Sequence, residues 1–406
     1  MSEVVISELT NIPSHWKVSN MVNETEFITD YVANGSFASL AENVRYKSEP
    51  DYAILIRLTD FNNNYKGDFV YVDKNAYDFL KKSKLEGGEI IISNVGAYAG
   101  TVFLAPKLYR PMTLGPNSIM MNFISGNMFY YYWLKSPMGK FLLDGIISGS
   151  AQPKFNKTTF RQMQVPVPPL SEQKSIASIL SSLDDKIDLL HRQNATLEKM
   201  AETLFRQWFI EEAKEDWDVK PLGSLVTVKR GSSPRPIQDY LSDTGLRWLK
   251  ISDATKENSP YIFEIKEYIK IEGLNKTTHL KAGTLVLSNS ATPGIPKILL
   301  VDSCIHDGWL HFPKSHFSNE FLYLLFKKIR PELLQQGNGS IFTNLKTDIL
   351  KEYRIPIPDK ESLLFFDNKV KQVFEKILNN TTQIRTLTAL RDVLLPKLMS
   401  GEVRVD

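Results

Sequence analysis

Apolar residues recur at alternating spacings of four and three along two stretches of this 406-residue chain. Ile176, Leu180, Leu183, Ile187, Leu190, Asn194, Leu197, Ala201, Leu204 and Trp208 follow the pattern in the first. Phe366, Val370, Val373, Ile377, Asn380, Ile384, Leu387, Arg391, Leu394 and Leu398 follow it in the second, 190 positions on. Such an alternation, sustained over several heptads, marks a helix whose narrow seam packs along another helix. Two seams predict two helices of about 35–40 residues, roughly 50–60 Å long, that pair as a coiled coil. Val165-Pro166-Val167-Pro168 precedes the first seam and Ile355-Pro356-Ile357-Pro358 the second. Proline biases the residue before it towards extended chain, so each run closes what comes before and launches a helix. Ser171, with Glu172 in the first turn, and Asp359 are the expected N-caps. Each seam carries one amide, Asn194 and Asn380. These are either tolerated polar positions near a helix end or a water, or a pair that fixes helix register.

The repeat extends upstream, its offset drifting with loop length. Trp16 matches Trp217, Gly35-Ser36 matches Gly231-Ser232, and Arg57-Leu58-Thr59-Asp60 matches Lys250-Ile251-Ser252-Asp253. Gly88 to Asn94 matches Gly283 to Asn289, Asn127 and Phe129 match Asn319 and Phe321, and Gly149-Ser150 matches Gly339-Ser340. Short β-type runs at Tyr52–Leu58, Glu89–Ile92, Arg247–Ile251 and Thr284–Leu287 are bounded by turn residues, and short helices are expected at Met128–Leu134 and Asn319–Lys327. The fold class is therefore α+β, with a pseudo-twofold internal repeat. Two strand-rich domains, 1–170 and 215–358, are separated by helices at 171–214 and 359–406. The second domain starts where the first helix ends and finishes where the second begins, so an antiparallel coiled coil is the economical arrangement.

Composition narrows the class. Hydrophobic content of 42% and charged content of 23% are those of an ordinary folded protein. No apolar run approaches the roughly 18 residues that span a bilayer, and MSEVVISELT does not resemble a signal peptide, so no membrane and a cytoplasmic location are expected. The single Cys304 excludes an internal disulfide and a multi-cysteine zinc site. No phosphate loop, dinucleotide fingerprint or H-E-x-x-H motif occurs. His306, His311 and His316 lie five apart, a spacing suited to neither one helical face nor the usual zinc patterns. Neither a catalytic residue nor a metal is assigned.

Nucleic acid fits what remains. Lys229-Arg230-Gly231-Ser232-Ser233-Pro234-Arg235 combines three cations with small residues that let the backbone approach phosphates. Lys229, Arg230, Ser232, Ser233 and Arg235 are candidate DNA contacts, as are Asn34 and Ser36 in the matching, less basic segment. Asn62-Asn63-Asn64-Tyr65-Lys66 is a polar loop whose amides suit adenine edges, making Asn62, Asn63, Tyr65 and Lys66 further candidates. A plain surface turn is the alternative for each segment.

The helical segments VPVPPLSEQKSIASILSSLDDKIDLLHRQNATLEKMAETLFRQWF and IPIPDKESLLFFDNKVKQVFEKILNNTTQIRTLTALRDVLLPKLMSGEV are similar to the conserved helices of type I restriction–modification specificity subunits (HsdS, the S subunit). KRGSSPRP, followed by RWLKISD, resembles the opening of a target-recognition domain in that family, and residues 30–39 resemble another subtype of it. The resemblance covers essentially the whole chain. It implies a non-catalytic subunit that reads a bipartite double-stranded DNA target, one domain per half-site. Two methyltransferase (M) subunits would dock on it, and restriction (R) subunits would join them. S-adenosylmethionine, ATP and magnesium would then belong to the partners, leaving this chain without a cofactor. Two other classes are consistent with the residues, a stand-alone DNA-binding regulator or architectural protein and an enzyme with an unrecognised site. Phe205, Phe209 and Leu395, off the seam, are candidates either for docking partners or for packing on a neighbouring domain.

Overall fold

The computed structural model describes residues 12–335 and 344–405; Gly339-Ser340 and the opening eleven residues lie outside them. The chain divides into two compact units, one of Met1–Ile187 with Leu387–Asp406, the other Asp188–Thr386.

In the first unit, Lys17–Asn20 pairs antiparallel with Gln164–Val167, so the strand-rich part starts and ends side by side. Between them lie two four-stranded sheets. One runs in the order Thr25–Asp30, Ser118–Phe123, Ile90–Ser93, Val102–Leu104, all antiparallel. The other runs Val70–Val72, Ala53–Ile56, Met112–Leu114, Lys84–Leu85, with a parallel central pair. Strand period explains the uninterrupted Ile90-Ile91-Ile92. Ile90 and Ile92 face a core containing Phe129 and Trp133 of the helix Asn127–Lys135, while Ile91 faces the second sheet with Phe103 and Met120. A strand covered on both faces has no polar side to show.

The second unit repeats this plan. Val219–Pro221 pairs with Arg354–Pro356. Val226–Arg230, Trp309–Ser315, Leu285–Ser288 and Pro296–Leu299 form the counterpart of the first sheet, with Tyr261–Ile262 added at its edge. Leu246–Leu249 and Ser303–Ile305 form the parallel pair of the other. Leu285 and Leu287 face the helix Asn319–Gln335, and Val286 the second sheet. That helix exceeds the expected 319–327 because buried Ile329 and Leu333 extend its apolar face past Pro331.

The two long helices span Leu170–Arg206 and Lys360–Met399. Their pairing is antiparallel in each unit. In the first, Arg391 donates to Asp184 at 2.8 Å, and Ile176 and Leu180 share a core with Leu398 and Met399. In the second, Asn380 donates to Asn194 at 3.0 Å, and Trp208 stacks on Phe365 with ring centres 5.1 Å apart. Every position of both seams is buried or half-buried. Asn380 is 2% exposed, and Asn194 also donates to Thr381 Oγ1 at 3.1 Å. The amides therefore bond to each other across the seam. Their repeat counterparts are Ile384 and Leu190, so only one side of the repeat carries this polar layer, as a register device requires. Asp359 is the N-cap of the second helix, accepting from the Ser362 N–H at 2.8 Å. Ser171 is not the cap of the first: the helix already includes Leu170, and the Pro169 carbonyl accepts the Gln173 N–H.

Phe205 and Phe209 are not display groups. They are 3% and 4% exposed and pack edge-on against Phe321, both at 5.1 Å, so beyond its seam the helix has a second apolar face towards the strand-rich part of its unit. Leu395 is half-buried against the first unit's core. Phe205→Ala is expected to destabilise the second unit by about 3–5 kcal/mol, the cost of emptying a buried phenylalanine site. Leu364→Ala, at a 60% exposed position of the partner helix, should stay within about 0.5 kcal/mol. Denaturant unfolding of the two variants checks the difference.

Candidate nucleic-acid interface

In the first unit, strands Thr25–Asp30 and Ile90–Ser93 finish, and Ser118–Phe123 begins, at one sheet edge. Asn94 knits that edge. Its N–H donates to Asn117 O (3.0 Å), its carbonyl accepts from Phe155 N (3.1 Å), and its Nδ2 donates to Phe155 O (3.2 Å). Lys157 pairs with Asp30 at 3.0 Å beside it. The loop after Asn94 is closed by Gly100 N to Ser93 O at 2.8 Å and anchored by Gly96 N to Pro153 O at 2.9 Å. Gly96 and Gly100 have φ of 100° and 90°, a conformation that side chains disfavour. Tyr98, at the loop's tip, is 66% exposed. At the opposite edge Asn127 Nδ2 bonds to Gly88 O, and Ser125 bonds to Gln173 of the first long helix. The loop edge therefore faces away from the start of that helix.

The second unit has the same arrangement. Asn289 N donates to Gly308 O and Asn289 O accepts from Leu345 N, both at 2.7 Å, and Gly294 N closes the loop on Ser288 O at 2.8 Å. Asn319 Nδ2 bonds to Gly283 O at the opposite edge. The basic segment lies on the loop edge. Gly231 donates to Trp309 O, and the carbonyls of Ile305 and His306 leave no room for a Cβ there. Asp307 organises the rest. Its carbonyl accepts from Arg230 Nε (3.2 Å) and a terminal guanidinium nitrogen (2.9 Å), and its carboxylate accepts from Ser233 at 2.7 Å and lies 3.8 Å from Arg235. The Ser233 hydroxyl holds that carboxyl below its usual range. His306 accepts the Gly308 N–H on Nδ1 at 2.9 Å. Burial lowers its basicity, favouring a neutral ring with the proton on Nε2.

These contacts sort the sequence candidates. Lys229 is exposed and Arg235 has 80% of its side chain exposed, so both cations are available on the loop edge. Arg230, Ser232 and Ser233 lie there too but hold the loop's own shape, Ser232 through Thr278 at 3.1 Å. Three candidates in the first domain are engaged by hydrogen bonds within the fold. Asn34 uses its amide on Tyr31 O, Ser83 Oγ and Lys82 N. Ser36 caps the helix Phe37–Asn43 by accepting from Ser39 N. Tyr65 donates to Leu104 O at 3.1 Å, and burial raises its pKa. Asn62, Asn63 and Lys66 are exposed. Their turn, however, belongs to the flank beside Val102–Leu104, where neighbouring Phe61 stacks on Phe103 at 4.8 Å. That turn packs with the cluster around Phe103, whereas Gly35 lies beside Ser39 and Phe79. His311 is buried in mid-strand next to Lys229, and His316 packs on Phe317.

The loops Asn94–Gly100 and Asn289–Gly294 were missed by the sequence candidates, although the matched Ser93-Asn94 and Ser288-Asn289 led straight into them. Among the described residues no group of three or more His, Cys, Asp or Glu is placed to hold a metal ion, and no helix is long and apolar enough to cross a membrane.

Comparison with known proteins bears directly on this duplicated arrangement. The MjaIX specificity subunit of a type I restriction enzyme from Methanocaldococcus jannaschii is 26% identical, covering 98% of this chain and 96% of that protein. The HindI specificity subunit from Haemophilus influenzae is 24% identical over 64% of this chain and 73% of its own length. In fold, the crystal structure of a type I restriction–modification S subunit from M. genitalium is similar with a TM-score of 0.61 at 14% identity, covering 96% of each chain. The family model for the type I restriction modification DNA specificity domain matches residues 35–199 and again 214–391. With most of its length matched in two copies, the chain belongs to the type I restriction modification DNA specificity domain family.

Proposed function

We propose that each domain reads one half of a split double-stranded DNA target through its loop edge, and that the chain is the non-catalytic DNA-reading subunit of a larger complex. The observation that carries this is one scaffold built twice, with the same hydrogen-bonded anchors and different residues on the same edge. The relatives' names, type I restriction enzyme specificity subunits, supply the context. In this reading two methyltransferase subunits dock on the chain and restriction subunits join them. Methyl transfer from S-adenosylmethionine to an adenine amine, and any work by ATP and magnesium, belongs to those partners. The task of this chain is to select and hold DNA. Cations such as Lys229 and Arg235 contact phosphates, which position the domain, while other edge residues meet base edges, which specify it.

Exchanging residues 215–358 for the matching domain of a relative, in a chain assembled with its methyltransferase partners, is expected to change one half of the methylated sequence and leave the other intact. Sequencing of methylated genomic sites reads this directly; a change in both halves, or in neither, contradicts independent reading. Lys229→Ala and Arg235→Ala should each lower the slope of log affinity against log salt by about 0.9 and weaken binding to all sequences alike. An unchanged slope would place both side chains off the phosphates.

A further inference from the structure

The two loops that spring from the matched asparagines are built to the same plan and differ where they project. In each, the last serine of a buried strand, Ser93 or Ser288, accepts the closing glycine N–H at 2.8 Å. In each, the following asparagine is bonded through its backbone to two other segments of the edge. Between these fixed points stand Val95-Gly96-Ala97-Tyr98-Ala99 in one domain and Ser290-Ala291-Thr292-Pro293 in the other. The second loop is drawn in further by its serine hydroxyl, which donates to Thr292 O at 2.6 Å and accepts from Ile295 N at 2.8 Å. The first is turned by Ala99 N to Gly96 O and Thr101 N to Tyr98 O, which leave Tyr98 outermost.

We propose that these loops are the base-reading elements of the two domains and that Tyr98, projecting from the first, is a specificity-determining residue contacting base edges. The inference rests on the proposed DNA-reading function and adds which residue does the reading. Tyr98 has no core to fill, since two-thirds of it is in solvent. A tyrosine has few torsions to immobilise, so it loses little entropy on contact, and it offers both a ring face and a hydroxyl that donates or accepts. The ring suits a thymine methyl, and the hydroxyl suits either the acceptors or the amines displayed in the major groove. The glycine-framed base preorganises the loop, so little of the binding free energy is lost in ordering it.

The test uses the full chain assembled with its methyltransferase partners and a panel of duplexes substituted one base pair at a time. In Tyr98→Ala, discrimination at one position of a single half-site is expected to fall by roughly 5- to 100-fold, with the other half read as before. Tyr98→Phe distinguishes the contact: it behaves as Tyr98→Ala if the hydroxyl reads, and as the native chain if the ring does. Unaltered discrimination at every position of both halves in Tyr98→Ala overturns the assignment, as does a loss of affinity that is uniform over all duplexes. A melting profile identical to the native chain's shows that the variant is folded. The domain exchange keeps the two ideas separable: if it still changes one half while Tyr98→Ala changes nothing, the reading residue is misassigned and the proposed function stands.

Discussion

Each strand-rich domain must hold its two ends side by side where a long helix starts, and the antiparallel clasps meet that constraint. Lys17–Asn20 lies against Gln164–Val167, and Val219–Pro221 against Arg354–Pro356, just before the helices begin. A tryptophan at each clasp then secures the helix start. Trp16 Nε1 donates to Glu172 at 2.8 Å, and Trp217 Nε1 to Asp359 at 3.3 Å, with Lys214 on the same Asp359 carboxylate at 2.6 Å. The acids occupy different positions in the repeat, yet each puts negative charge on the electropositive helix N-terminus. Once the ends are fixed there, strand direction puts the loops of Asn94 and Asn289 at the far edge of their sheets. What those loops carry is held out from the helix on a rigid base.

The repeat preserves the groups that satisfy backbone. Asn127 on Gly88 O and Asn319 on Gly283 O perform one task twice, tying the turn before a central strand to the start of a helix several strands later. Asp60 accepts from Arg57 N and Asp253 from Lys250 N, each capping the short helix that follows the first strand of the parallel central pair. A backbone group left without a partner in such places costs about 1–3 kcal/mol, which explains why these residues persist while their neighbours vary. The exposed edge answers to no such constraint. One domain shows a tyrosine where the other shows Thr292 and Pro293, and one carries Lys229 and Arg235 where the other is nearly free of charge.

What could be seen in the sequence was whatever periodicity encodes. The 4-3 seams placed both long helices because a seam is a one-dimensional signal, and Ile90-Ile91-Ile92 revealed its strand because both faces are covered. Side-chain tasks that depend on distant partners were not visible. Asn34 bonds to Ser83, 49 positions away, and Tyr65 to Leu104, 39 away, so two groups that look free in the sequence are engaged in the fold. Phe205, off the seam, suited either docking or packing on a neighbouring domain, and Phe321 covers it. The loop of Tyr98 owes its shape to backbone bonds with Pro153 and Phe155, which no local pattern announces.

In the proposed reading one edge of each unit meets DNA. Amide hydrogen exchange on the assembled complex, with and without its methylation target, reads that contact segment by segment. Slowed exchange on DNA binding is expected at 94–100, 230–236, 289–294 and 306–308, with no change at 62–66 or at the opposite-edge turns 86–88 and 281–283. Protection concentrated in those last three segments, with the loops of Tyr98 and Thr292 exchanging as in the free complex, would contradict it.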